Sequence, residues 1–563
     1  MLKRIFTKQF FLATLACLLY PTILRAQDLE NLAKSDPFDY SGSLNLSLSH
    51  YHSKLGQNLS VPWQYAISAN VTPSLYGIQL PINIYLNNYQ RGINHPFNFY
   101  GISPSFKWAK LHLGHSSMTF SPFTLSGQTF WGVGVELTPG FLRFSALYGK
   151  FRNYAYLPHD DVTKTSLIPS YKRKGYGLKI GVGSDDTHVD FIYFKAKDDE
   201  ELISRELDSL RLTPKENAVI GLNARMTLFK KLRFHLNSAL SLLSRNTLER
   251  SLTIPDEYSF ITTFIEPNLT TTLGIAGDAG VHLFLRGFTL GLNYKRIDPD
   301  YRSLGSSYFL NDLESVTIDN SFTAFNQRLM IKSSLGLGRN NLRSDKTATS
   351  TKIIGSVNAH IRFHKSIQLQ VLYNNFVMDQ QLKIVDINDT LQYSQNNQIF
   401  RIAPVSTWGN EQFRHRLTSS FVQSGFTTQH GSSLEETNVH STAVNLAYYL
   451  HLKEDNLSIN TGTFWRKYEI AETRQSNRLG FNLGGNKTFF DKKFTANASY
   501  TFSTGIGGEA DSSISHFSRA SLSYKVTPKQ NISLSFNYIR KTTGSELRIS
   551  DTRVFLHYSF TLK

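Results

Sequence analysis

The sequence predicts an all-β chain folded as one large antiparallel up-and-down barrel of about 26 strands, within a range of roughly 22–28. Three observations carry that expectation. Stretches of roughly ten residues that alternate apolar and polar recur from residue 40 to the last residue. The connections between them alternate short and long. An export signal opens the chain, and no later segment is apolar for long enough to cross a membrane as a helix.

The first element is a secretory signal, residues 1–26. Lys3, Arg4 and Lys8 form a basic n-region, Phe10 to Tyr20 the apolar h-region, and Ala26 the small residue ahead of Gln27 and Asp28. Leu24 departs from the usual small residue two positions earlier. Leu15-Ala16-Cys17 faintly suggests a lipoprotein signal, but Thr14 stands where that motif wants an aliphatic residue, and Leu18-Leu19-Tyr20 continue the apolar run. Cys17 is the only cysteine. The mature chain therefore has no thiol for a disulfide, for catalysis or for a metal.

Residues 27–39 are expected to be a short periplasmic segment and 40–563 the barrel. An exported chain without a spanning helix either stays soluble or enters a membrane as strands. Only a closed barrel leaves no backbone group unpaired in hydrocarbon. A soluble all-β chain of this length would divide into domains with linkers, and the punctuation here is uniform to the end. The last stretch shows the pattern. Val554, Leu556, Tyr558, Phe560 and Leu562 fall on one side of a strand, and Phe555, His557, Ser559, Thr561 and Lys563 on the other. The barrel assembly machinery is expected to engage this C-terminal strand.

Candidate strands run from 40–52 and 62–72 through to 530–541 and 548–562. Short connections follow every even-numbered strand, as at Thr138-Pro139-Gly140, Phe229-Lys230, Asp491-Lys492 and Thr527-Pro528-Lys529. Long ones follow odd-numbered strands, as at 152–173, 198–215, 244–267, 297–312 and 377–396. Short periplasmic turns and long extracellular loops are the outer-membrane arrangement. Aromatic residues make up 13% of the chain. Trp63, Tyr65, Tyr85, Tyr89, Trp108, Tyr148, Trp408, Tyr558 and Phe560 are expected to form interfacial girdles, because an aromatic ring suits the headgroup level.

The formal net charge is +17, and four of the basic residues belong to the signal. The rest of the excess is spread singly over many strands, with no nucleic-acid motif. Outer-membrane lipid and lipopolysaccharide phosphates are the expected partners of the rim; a basic lumen would favour anions.

Little in the sequence carries chemistry. His50 and His52 share a strand face, but no third metal ligand accompanies them. His112, His115, Ser116 and Ser117 invite comparison with a barrel hydrolase, and no triad can be read from them. Gly132, Gly134, Gly181 and Gly183 alternate with wall residues and suit bending or close packing. No enzyme activity, cofactor or metal is expected. Between the cleavage site and the first strand there is no room for a plug domain, so the mature protein is expected to be all barrel.

Two segments carry a resemblance: Ser103 to Tyr148, SPSFKWAKLHLGHSSMTFSPFTLSGQTFWGVGVELTPGFLRFSALY, and Arg296 to Asp312, RIDPDYRSLGSSYFLND. Both resemble an uncharacterised outer-membrane β-barrel family of Gram-negative bacteria with type IX secretion. The resemblance implies outer-membrane location and barrel fold, and an accessory role in secretion with an envelope or secretion protein as partner.

A lumen this wide needs filling. Ser121-Pro122-Phe123 and Leu125-Ser126-Gly127 read as a compact loop folded inward. Loops 152–173 and 244–267 are the expected fillers or partner-binding loops, through Tyr154, Tyr156, His159, Asp160, Tyr258 and Phe260. The expected function is a channel or transport-associated scaffold of the Gram-negative envelope. The alternative is a non-conducting structural, adhesion or secretion-accessory barrel that acts through its extracellular loops.

Overall fold

A computed structural model describes residues 37–54, 62–88, 99–153, 170–200, 212–253, 255–306, 311–346, 348–382, 393–430, 437–470, 474–506, 513–544 and 546–562. Residues 1–26, the expected signal, lie outside them.

Twenty-eight hydrogen-bonded segments make a closed antiparallel barrel of 26 strands. The two numbers differ because prolines cut two strands in half. Pro81 separates Ile78–Gln79 from Ile82–Asn87, and Pro104 separates Phe99–Ile102 from Ser105–Phe106. A proline has no N–H to give to the ladder. The interruption is patched locally, by Ser103 N–H donating to Pro81 O at 2.9 Å and Leu111 N–H to Pro104 O at 2.8 Å.

Closure is direct. The first strand, Phe38–Ser53, pairs with the last, Glu546–Leu562, in one unbroken register from Gly42 opposite Leu562 to Ser53 opposite Asp551. No sheet edge is left between them. The short connections and the long ones fall at opposite ends, as the sequence pattern requires. At the short-turn end, left-handed residues reverse the chain in Phe229-Lys230 and Phe490-Asp491-Lys492.

Register fixes which side chains share a face, and the assignment stays consistent around the circumference. On the outer face Leu44 lies beside Phe560, Leu46 beside Tyr558 and Leu48 beside Leu556. These stand beside Gln530, Ile532 and Leu534 of the next strand. Phe191 (66% exposed), Leu335 and Leu337 lie on the same outer face in distant strands. Large apolar side chains this exposed, on every part of a closed wall, are the mark of a lipid-facing surface.

Candidate functional site: a half-filled lumen

The inner face is not uniform. In the strands between Thr129–Leu137 and Phe288–Ile297 its long-loop half is apolar: Phe130, Leu147, Phe151, Phe194, Val219, Leu243, Ala276 and Ile297 point inward and are buried. Two connections fold into the lumen and cover them. One, 118–128, brings Met118, Phe120, Phe123 and Leu125; the other, 298–306, brings Tyr301 and Leu304. All join one hydrophobic cluster. Burying each large side chain contributes about 1.5–3 kcal/mol.

The two loops are also bonded to each other. Ser126 and Ser306 form a parallel bridge, and Ser126 N–H donates to Gly305 O at 3.0 Å. Tyr301 Oη donates to Phe123 O at 2.5 Å, and Ser303 Oγ to Thr124 O. Burial raises the Tyr301 phenol well above its usual pKa, so it stays a donor. These are the segments that carry the family resemblance, and they meet inside the barrel.

Wall side chains hold the backbone of the second loop. Asn217, fully buried, accepts Leu304 N–H at 2.9 Å and donates to Arg302 O at 3.3 Å; Ser241 Oγ donates to the same carbonyl at 2.6 Å. Two wall glycines permit the close approach. A Cβ at Gly274 would lie 2.7 Å from the Tyr301 Cα, and one at Gly134 would lie 2.5 Å from Met118 Sδ. The compact loop around Phe123 is therefore inward, as its sequence suggested, and Gly134 is a close-packing position. Of the loop 244–267, expected to fill the lumen or bind a partner, one part lies outside the lumen. Phe264 rests 5.8 Å from Tyr193, which faces outward, so that part of the loop leans on the outer rim.

Charged groups lock the rim of the filled half. Asp198, with no exposed side-chain surface, accepts a two-pronged bond from Arg173 (2.7 and 3.0 Å), a bond from Arg152 (3.2 Å) and Lys215 N–H (3.1 Å). Lower in the lumen a ladder of polar side chains runs across neighbouring strands. Its contacts are Arg143–Asp190, His188–Asn223, Asn223–Asn237 and Asn237–Asp278, each between 2.7 and 3.0 Å. In this half Asp190, Asp198 and Glu136 are ion-paired, while Lys179 and Lys295 lie over the Phe120 and Phe123 rings.

In the strands from Leu329–Arg339 to Glu546–Leu562 the inner face changes. Serine, threonine and asparagine dominate, with exposed Arg362, Arg401, Arg416, Arg466, Arg519 and Arg553. Among the described residues of these strands Asp551 is bound by Tyr51 Oη at 3.0 Å, and Glu546 is paired with Arg548. The cations greatly exceed the carboxylates.

The residues singled out from the sequence divide as follows. Trp63 and Tyr65 (57% and 48% exposed) and Tyr148 face outward toward the long-loop end; Trp108, Trp408, Tyr558 and Phe560 lie at the short-turn end, the last three on the outer face by register. Tyr85 stands opposite Ser68 on the inner face instead. A shift of one residue in a strand reverses the face. Tyr89, Tyr154, Tyr156, His159 and Asp160 lie outside the described residues. So do the side chains of Tyr258 and Phe260, whose backbone forms the 3₁₀ segment Asp256–Thr263.

His50 packs on Trp63 at 4.5 Å, and among the described residues no group of three or more ligand side chains could hold a metal. His112 points inward, with Ser103 Oγ 3.1 Å from Nδ1 and Glu136 Oε1 2.7 Å from Nε2. The contacts tie three adjacent strands together beside the Pro104 break. Sequence reasoning missed Ser103 and Glu136 because strand register, not spacing, unites them with His112.

A closed antiparallel barrel, apolar outside and part polar within, defines the class: the fold is outer-membrane β-barrel-like. No protein-family model and no curated protein matches the chain. Among solved structures it is similar to the P pilus usher PapC translocation pore (10% identity, covering 93% of this chain and 100% of that one, TM-score 0.40). It is also similar to BauA, the ferric preacinetobactin receptor of Acinetobacter baumannii (10%, 93% and 81%, 0.38). A third is OccK9 of Pseudomonas aeruginosa (11%, 93% and 99%, 0.29). Likeness of this degree concerns the barrel fold alone.

Proposed function

We propose that the protein is a non-enzymatic outer-membrane barrel that serves as a partly plugged conduit for anionic solutes. The observation that carries this is the unbalanced cationic inner wall of residues 329–562, set against the loop-filled wall of residues 109–306, where Asp190, Asp198 and Glu136 offset part of the positive charge. Fixed charges of one sign in a narrowed aqueous path raise the local concentration of counter-ions. The short-turn end would face the periplasm and the long-loop end the outside. Export would use the cleaved signal of residues 1–26.

Purified protein in a planar bilayer under a salt gradient tests the reading. Discrete conductance with a reversal potential favouring anions supports it; conductance selective for cations contradicts it.

A second reading draws on the meeting of the two resembling segments inside the lumen. The plug would then be the working part of a non-conducting scaffold, such as a secretion-system accessory that binds an envelope protein through its loops. A barrel that stays silent in the bilayer and co-purifies with an envelope protein would favour that reading.

A further inference from the structure

On the outer wall, at the long-loop end, three lysines stand side by side on neighbouring strands. Lys150 is in register with Lys174, and Lys174 with Lys197. Like charges directly opposite one another in a sheet repel, and a sequence that keeps them needs a compensating anion. The local carboxylates compensate in part. Asp199 is shared by Lys172 and Lys174 at 3.9 and 3.8 Å, and Glu200 takes Lys197 at 3.0 Å. Among the described residues Lys150 has no ion-pair partner; its Nζ lies 5.3 Å from the centre of the Trp131 ring.

Immediately beneath is an outward groove of about 320 Å³, lined by Trp131, Val133 and Tyr148 and rimmed by Lys150, Lys172 and Lys174. Tyr148 is 57% exposed and lies in register with Tyr176 in the aromatic belt. The patch thus stacks cations over aromatic rings over a lipid-facing apolar wall. A ligand that matches all three layers has an anionic head and acyl chains below it.

We propose that Lys150, Lys172 and Lys174 bind the phosphorylated headgroup of lipopolysaccharide, with an acyl chain lying in the groove of Trp131 and Tyr148. The proposal rests on the outer-membrane reading and on the long-loop end facing outward. A phosphate would bridge the lysine row and remove its repulsion. The aromatic belt would set the depth of the sugar head.

The test uses the full mature chain purified in non-ionic detergent, incubated with lipopolysaccharide, with the same lipid after dephosphorylation, and with inorganic phosphate as competitor. Bound lipid is read by native mass spectrometry. The Lys150→Gln/Lys172→Gln/Lys174→Gln variant is expected to lose at least about tenfold in lipid affinity, and the dephosphorylated lipid to bind wild type no better than the intact lipid binds the variant. A variant with Lys332→Gln and Lys352→Gln on the inner face should bind as wild type does.

Equal retention by the triple variant, or equal binding of the dephosphorylated lipid, overturns the proposal. Displacement by inorganic phosphate at stoichiometric amounts overturns the lipid assignment in favour of a soluble-phosphate site. Heat-modifiable migration on gels is read from the same samples. It tests the barrel reading separately, because a variant that shifts on boiling like wild type has kept its wall.

Discussion

The strands of residues 109–306 and those of residues 329–562 present the same outer face and opposite inner ones. Outside, both alternate large apolar side chains with the ladder: Val189 and Phe191 in one half, Leu534 and Phe536 in the other. Inside, the first half carries Phe194, Val219 and Ala276 under two inward loops, with Asp190 and Asp198 in ion pairs. The second carries Ser499, Ser535 and exposed arginines facing the lumen. The lesson is that lipid dictates the outer pattern, while the inner pattern records what occupies the lumen beside it. Where a loop folds in, the wall turns apolar; where no described loop covers it, it stays small, polar and cationic.

The comparison can be broken most sharply at Asp198. Asp198→Ala leaves Arg152 and Arg173 facing each other without their shared carboxylate, which typically costs about 3–5 kcal/mol. The temperature at which the heat-modifiable form is lost should fall clearly, and conductance should rise as the filled half loosens. An unchanged transition would mean that the rim cluster does not hold the plug.

Tyr301→Ala removes a buried ring and its bond to Phe123 O, for a similar cost of about 3–5 kcal/mol. Its distinguishing readout is protease access at 298–306 in the folded barrel, expected to increase while the closing pair of strands stays protected. Next comes Asn217→Ala. It strands Leu304 N–H and Arg302 O, at about 1–3 kcal/mol, and should raise proteolysis of the same loop by a smaller factor.

In the open half, Arg416→Gln with Arg466→Gln should leave thermal stability within about 0.5 kcal/mol and shift the reversal potential toward the unselective value. Retained anion preference would remove these arginines from the conduit.

The smallest effect is pH-linked. Burial works against the charge of Asp312, but hydrogen bonds from Lys346 and from the Leu342 and Asn341 N–H groups outweigh it and hold its pKa below the usual aspartate value. Its contribution is therefore present above the unfolded pKa of about 3.9 and lost as pH falls through the lower folded value. Hydrogen exchange of the 340–346 turn should rise only in that acidic window, and Asp312→Asn should abolish the dependence.

The fold was largely legible in the sequence. Period-two alternation with a short–long rhythm of connections specifies strand number and parity, and the final strand alone displays both faces. The segmentation ran single strands across Pro81 and Pro104, and the structure keeps each as one barrel strand with a patched local break. The plug was half legible. The compactness of Ser121 to Gly127 was visible, but its landing on Gly134, Gly274 and Asn217 depends on register across distant strands. At Phe264 the 244–267 loop leans on the outer rim, because length alone does not say toward which side a loop folds. Tyr85 shows the same limit for a single residue: its aromatic character suits a girdle, and its register turns it inward.

Accessibility of single cysteines to a membrane-impermeant thiol reagent tests the half-filled barrel most directly, because Cys17, far outside the barrel wall in sequence, is the only native cysteine. In the folded mature chain, Ser535→Cys on the open inner wall should label rapidly, Val219→Cys beneath the plug should stay unreactive, and Leu534→Cys on the outer wall should react only with a lipid-soluble reagent. Rapid labelling at Val219→Cys, or water-borne labelling at Leu534→Cys equal to that at Ser535→Cys, would contradict the account.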